Sequence, residues 1–452
     1  MSPASLALLS PQAALAAGAL VVLAAGASRR CSRGALRALA VSAVAAALVL
    51  LACTGTGQSP PLLRLDLLGR CFESVFLLAA LPLLILMEAD DEVPAALVLG
   101  SLIGMGLIAA SSHLLMLFIG LELMSVPAYL LVSRSRSPQA LEAAVKYFFA
   151  GGLASALFLM GMAMSYAASG SLAVVPAAKG LGAAGLSLMA AAALFKIGAV
   201  PLHFWLPDVY EASDPELAGF FSTGVKAAAV LLLARLASVS AGSALAAALP
   251  WAAALTILFG AAAALRQQRL ARLLAYSSIS HAGFMILAVA AWAAQGRAPA
   301  AGLAVFFYSA AYLFMSGGAF LWLKAAGVTR RAQLKGLARG RPWQAAMLAA
   351  LLLALAGIPP TAGFAAKFLV FWEAFKAGFY VPMVLAGLGA LLSLGYYLGL
   401  IREMYFDEPG PETAGPAAAG RGLGLAAAFA VVSVVLGLLP LLASLWQPGA
   451  RP

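Results

Sequence analysis

Residues 195–205, FKIGAVPLHFW, and residues 357–368, GIPPTAGFAAKF, each set a lysine beside a proline inside a long apolar run. Proline removes a backbone hydrogen bond and clashes with the carbonyl one turn back. The freed groups cannot face lipid, so such breaks occur where a helix lines a cavity enclosed by protein. Lys196 precedes its proline, Pro201, and Lys367 follows Pro360. Two interrupted helices in corresponding halves are the sequence mark of an inverted-repeat transporter. The reading that follows is an all-α, polytopic membrane protein in which spans four to eight pair with spans nine to thirteen.

Composition agrees. Of 452 residues, 63% are hydrophobic and 10% charged, against about 25% charged in a soluble domain. The mean hydropathy is +0.98. A water-soluble enzyme, a DNA-binding protein and a disordered scaffold are excluded on this ground. The net charge of +11 therefore reports cytoplasmic loops and not a nucleic-acid partner. The solvent that this chain meets is the lipid bilayer. Cys31, Cys53 and Cys71 form no CxxC and make neither a disulfide framework nor an iron–sulfur site. His113, His203 and His281 are too few and too dispersed for a bis-histidine haem bundle, and no phosphate loop or HExxH is present. No cofactor or metal is expected in this chain.

A span needs about 20 apolar residues. About fourteen segments qualify, near 5–27, 35–53, 71–88, 94–111, 113–133, 139–168, 181–204, 216–239, 245–265, 268–292, 300–325, 343–377, 380–401 and 422–446. With the N-terminus outside, 17 Lys and Arg fall in cytoplasmic loops and 7 on the other side, so both termini are expected to be periplasmic. The first span lacks a preceding basic residue and reads as a retained N-out helix. The Ala- and Gly-rich composition suits a GC-rich bacterial genome, and the expected location is the bacterial inner membrane. The expected divisions are 1–93 (spans one to three), 94–240 (first repeat), 241–408 (second, inverted repeat) and 409–452 (a loop and the last span).

A charge at mid-membrane costs roughly 2.5–3.5 kcal/mol on insertion scales. Glu122, Lys146, Lys196, Lys226 and Lys367 all fall inside predicted spans and are functional candidates. Glu122, Ser125 and Tyr129 share one helix face, as do Ser222, Thr223 and Lys226, and Ser277, Ser278 and His281. These polar stripes suit a hydrated inner channel. A buried lysine's charge responds to desolvation and to a neighbouring carboxylate. Glu122, Lys146, Lys196, Lys226, His281 and Lys367 thus make a candidate proton relay across the middle of the membrane.

At these residues a resemblance becomes specific. HLLMLFIGLELMSVPAYLLV (113–132), SPQALEAAVKYFFAGGLASALFLMGMAMSYAASGS (137–171), LFKIGAVPLHFWLPDVYEASDPELAGFFSTGVKAAAV (194–230), LLAYSSISHAGF (273–284) and GIPPTAGFAAKF resemble subunit N of proton-pumping NADH:quinone oxidoreductase, complex I. The likeness runs from about Leu97 to the end of the last span. It implies a fold of two inverted five-helix repeats with broken helices seven and twelve. It places the helix-five carboxylate at Glu122, the helix-six lysine at Lys146 and the broken-helix lysine at Lys196. The helix-eight lysine falls at Lys226, the helix-ten histidine at His281 and the exit-side lysine at Lys367. It also implies a subunit without a redox centre, served by FMN and iron–sulfur clusters in other subunits, with subunits K and M as neighbours. The related subunit M carries a glutamate where Lys367 stands, and subunit L a long lateral helix after the common core, whereas this sequence runs to Pro452 soon after its last span. The Ala-, Gly- and Pro-only stretch 414–420 departs from the pattern.

Plainer readings stand beside these. Lys146 lies near the start of its span and can snorkel. Glu122 can sit in a structural ion pair, and His281 can be a neutral core histidine. The five residues Trp205, Trp251, Trp292, Trp343 and Trp446 lie near span ends, as interface anchors do. The acidic stretches 88–92 and 208–216 are expected to be solvated or docked against neighbours. The alternative function is a subunit of a multi-subunit Na⁺/H⁺ antiporter, separable by its co-purifying proteins and a sodium dependence.

Overall fold

The computed structural model describes residues 3–28, 32–87, 92–413 and 421–445. Arg29, Arg30, Cys31, residues 88–91, the 414–420 loop, Trp446 and Arg451 lie outside them. Thirteen described helices are long and apolar enough to cross a bilayer. In chain order the principal helices are α1 (Ser10–Ala27), α2 (Arg33–Cys53), α3 (Leu67–Leu86), α4 (Glu92–Ala109), α5 (Leu114–Val132), α6 (Pro138–Ser169) and α7 (Gly180–Ile197). They continue as α8 (Leu206–Ala212), α9 (Pro215–Ala237), α10 (Ala244–Ala264), α11 (Leu270–Ala294) and α12 (Pro299–Ala326). The set ends with α13 (Pro342–Ala356), α14 (Ala362–Lys376), α15 (Tyr380–Phe406) and α16 (Arg421–Leu445).

Local sequence sets the boundaries. Ser32, Asp66, Ser137 and Ser243 cap their helices by accepting from a backbone N–H three residues on. Gly170 ends α6 with φ +67°, a conformation that an L side chain rarely adopts. The two breaks expected at Pro201 and Pro360 are both present. α7 stops at Ile197 and α13 at Ala356, and each is followed by a glycine at positive φ, Gly198 at +83° and Gly357 at +82°. At 15 residues α13 is about 22 Å long, short of the ~30 Å hydrocarbon core.

α9, α11 and α12 form the inside of the bundle, whereas α1, α2, α6, α15 and α16 are mostly outward-facing. α11 is buried along almost its whole length. α9 is not regular: residues Phe221–Val225 form a π turn directly before Lys226. A π turn inserts a residue into the helical count, so Ser222 and Thr223 do not keep the simple face relation to Lys226 that α-helical spacing predicts.

Three details depart from the sequence reading. Residues 57–65 form a short antiparallel hairpin, Gly57–Ser59 against Leu63–Leu65. The sequence reading places no element there, between the spans that end at 53 and begin at 71. Trp205 is not an interface anchor, since it is buried and stacks flat on Tyr147 at 4.2 Å between centroids. Trp343 and Trp251 are exposed, as anchors are. Lastly, the acidic stretch 208–216 docks onto the chain's own cations. Asp208 meets Lys146 and Arg272, Glu211 meets Arg269 and Arg272, and buried Glu216 meets Lys324 at 2.9 Å.

Candidate functional site

The first cluster forms at the end of α7. Lys196 lies in the last turn and is fully enclosed. Its Nζ donates to the Tyr129 hydroxyl at 2.8 Å and sits 4.6 Å from the Tyr129 ring and 4.7 Å from the Tyr147 ring. Such aromatic faces stabilise an ammonium without a counter-ion. The indole of Trp205, from beyond the break, donates to the Phe195 carbonyl at 3.1 Å. The Val200 N–H is taken by Thr256 Oγ1 at 3.1 Å. These bonds satisfy part of the backbone that the break releases.

Glu122 lies on the Tyr129 helix, only partly buried, and accepts from Ser155 Oγ. It makes no ion pair with any described residue. Gly151 of α6 leaves space for the Tyr129 hydroxyl: a Cβ there would lie 1.9 Å from that oxygen.

The second cluster forms along α11. Lys226 donates to Ser278 twice, to its carbonyl at 2.7 Å and its hydroxyl at 2.5 Å. One turn on, His281 pairs through Nδ1 with the Tyr308 hydroxyl at 2.8 Å and through Nε2 with the Tyr397 hydroxyl at 3.4 Å. Tyr397 also bonds Ser277. Lys367 reaches back from α14 across the break and donates to the Leu355 and Ala356 carbonyls at 3.2 and 2.7 Å. It thereby caps the C-terminal end of α13, where the helix dipole favours a cation. Its Nζ lies 5.5 Å from the Phe284 ring, which stacks on Tyr308.

The two breaks thus solve one problem differently. At the second, the lysine itself satisfies the open carbonyls. At the first, a tryptophan does so, and Lys196 is left to bond a tyrosine. Among the described residues no side-chain hydrogen bond joins Lys196 to Lys226, so proton passage between the clusters requires water or movement.

Lys146 is in neither cluster. It is half-exposed and paired with Glu142 at 2.7 Å and Asp208 at 3.1 Å, lining a cavity of about 270 Å³ at one end of the bundle. Its helix is 32 residues, or about 48 Å, and outruns the hydrocarbon, which puts this end among charged partners. Two residues escaped the sequence reading. Tyr147, next to Lys146, is the one that faces Lys196. Glu73, on α3, is buried, with one oxygen held by Gln12 at 2.7 Å and the other unpartnered. A lone carboxylate near a predicted span start carries little signal. His203 stands in the first break against the Phe259 ring.

Fold and site together define a polytopic helical membrane protein with ionisable side chains buried at two helix breaks. Residues 111–393 match the family described as NADH:quinone oxidoreductase/Mrp antiporter, TM. NADH-quinone oxidoreductase subunit N of Rhizorhabdus wittichii is 38% identical over 375 residues, 78% of this chain and 77% of that protein. NADH-quinone oxidoreductase subunit 14 of Thermus thermophilus is 40% identical over 353 residues, 76% of this chain and 77% of that protein. A chain of respiratory complex I from Thermus thermophilus with bound aureothin superposes with a TM-score of 0.86 at 35% identity, covering 96% of this chain and 98% of that one. A chain of the Mrp complex from Dietzia sp. shares the fold, with a TM-score of 0.83 at 23% identity over 99% of this chain and 98% of that one. The chain belongs to the NADH-quinone oxidoreductase subunit N family.

Proposed function

We propose that the chain is the proton-translocating membrane subunit of an NADH:quinone oxidoreductase, with Glu122, Lys146, Lys196, Lys226, His281 and Lys367 as its relay. Electrons pass from NADH to quinone in other subunits, through FMN and iron–sulfur clusters held there. This chain converts the resulting push into proton movement. The observation that carries the reading is the pair of enclosed lysines at the two helix breaks. Hydroxyls and carbonyls hold them, and such acceptors accommodate a lysine in either protonation state. A carboxylate that approaches favours the charged state, and its withdrawal the neutral one. Glu122 is placed for this: it is part-exposed on the flank of the bundle, where a neighbouring subunit can pull on it. We assign that neighbour to subunit K or M. Residues 94–240 and 241–408 then form the two inverted halves, in a bacterial inner membrane with both termini periplasmic.

The test uses the assembled complex. Lys196→Ala or Glu122→Ala should lower NADH-driven proton pumping at least about tenfold, since a positioned proton-transfer group commonly contributes ~10²–10⁴-fold. Subunit content should stay intact. Unchanged pumping in an assembled mutant complex would falsify the relay. Purification of the tagged chain separates the antiporter alternative. Co-purifying flavin and iron–sulfur subunits with NADH:quinone activity support complex I. A small, NADH-inactive assembly with sodium-dependent flux supports the antiporter.

A further inference from the structure

At the end of the bundle where α3 begins and α9 and α11 finish, loops enclose a cavity of about 300 Å³. Arg64, Arg235 and Arg297 line it, with Asp66 as the one carboxylate. Asp66 is already committed: Arg235 holds both its oxygens, and one also accepts from the Gly69 N–H. Arg64 and Arg297 are exposed and make no ion pair among the described residues, and the buried Arg235 Nε has no hydrogen-bond partner. The cavity therefore keeps an excess of positive charge.

A second hollow of about 330 Å³ adjoins it, sharing Asp66, Trp292 and Arg297. Its other walls are apolar, and Leu67, Leu303 and Phe306 run along them. It lies at span ends, where Leu67 and Leu303 are exposed, the depth at which headgroups meet acyl chains. Gly302 leaves room for the Trp292 indole, whose Nε1 would lie 3.1 Å from an added Cβ.

We propose that this double cavity binds one anionic phospholipid. Its phosphate sits between Arg64 and Arg297, and an acyl chain lies along Leu67, Leu303 and Phe306. A free phosphate would satisfy the arginines but leave the apolar hollow without an occupant, which is why the lipid is the better fit.

The test places photoreactive benzoylphenylalanine at Leu303 in the full complex, irradiates native membranes and identifies the adducts by mass spectrometry. The expected adduct is an anionic phospholipid, enriched over its share of the membrane. It should fall by roughly thirtyfold when Arg64→Gln and Arg297→Gln are combined, at about 1 kcal/mol for each of the two basic residues. It should persist when both are lysine, and in the presence of excess inorganic phosphate. If the double Gln variant fails to assemble, the enrichment and the lysine variant decide. Lipid adducts in bulk proportions, adducts displaced by inorganic phosphate, or an adduct to a neighbouring subunit's peptide would each overturn the proposal.

Discussion

Tyr129 shows how little room the site leaves. Its hydroxyl must reach Lys196 Nζ while its ring stands edge-on to Tyr147 at 4.7 Å. That oxygen lies directly over Gly151, 1.9 Å from where a Cβ would stand. Gly151→Ala should therefore push Tyr129 off the lysine, with an overpacking cost of about 1–3 kcal/mol. We expect a fall in proton pumping close to that of Tyr129→Phe, with the complex still assembled. Normal pumping in the alanine variant would show that the tyrosine contact is dispensable. Sequence alone reached Tyr129, because it shares a helix face with Glu122. It did not reach Gly151 or Tyr147, whose roles come from an opposing helix. Periodicity along one helix carries no information about what crosses it.

At the level of elements, hydropathy was enough to find the spans, and proline was enough to find both breaks. It could not show which way each lysine turns. Lys196 sits in the last turn of α7 and Lys367 near the start of α14, and they take different partners. The π turn at 221–225 was also invisible, since FSTGV reads as ordinary helix. Lys146 was read into the membrane because its helix is apolar along most of its length, whereas that overlong helix carries the residue out to Glu142 and Asp208. The second break has its own dependence on a small residue. A Cβ at Gly363 would lie 1.7 Å from the Ala354 carbonyl oxygen, which is backbone and cannot swing aside. Gly363→Ala should force α14 away from α13 and displace Lys367 from its carbonyls. The expected result is a destabilised or unassembled subunit, seen as lower subunit content in purified membranes. Full assembly with normal pumping would show that the crossing is looser than described.

Across the whole molecule, the N-terminal helices are fastened to the core by buried polar contacts as well as by packing. Asp66 at the start of α3 pairs with Arg235 near the end of α9, and Arg235 also donates to the Ala109 carbonyl at 2.9 Å. Burial alone would raise the Asp66 pKa. The hydrogen bonds and charge of Arg235, with the Gly69 N–H, outweigh it and hold the carboxyl below its ordinary 3.8. A depressed folded value means that this contribution is complete above pH 3.8 and is lost as pH falls through the folded value. Asp66→Asn should lower thermal stability in detergent by about 1.5–3 kcal/mol at neutral pH, the range for hydrogen bonds to charged groups. The gap to the wild type should close only in strong acid. A gap that closes near pH 6 would point to another group.

The last helix has a consequence for movement. Gly437 of α16 presses on the second break so closely that an added Cβ would lie 2.2 Å from the Pro360 carbonyl oxygen. That flank is splinted. On the inner side Phe371 already meets Phe284, whereas Phe368 and Trp372 are exposed on the outer side. The break is a beam set into masonry on that side, and a swing of α14 toward α16 is barred.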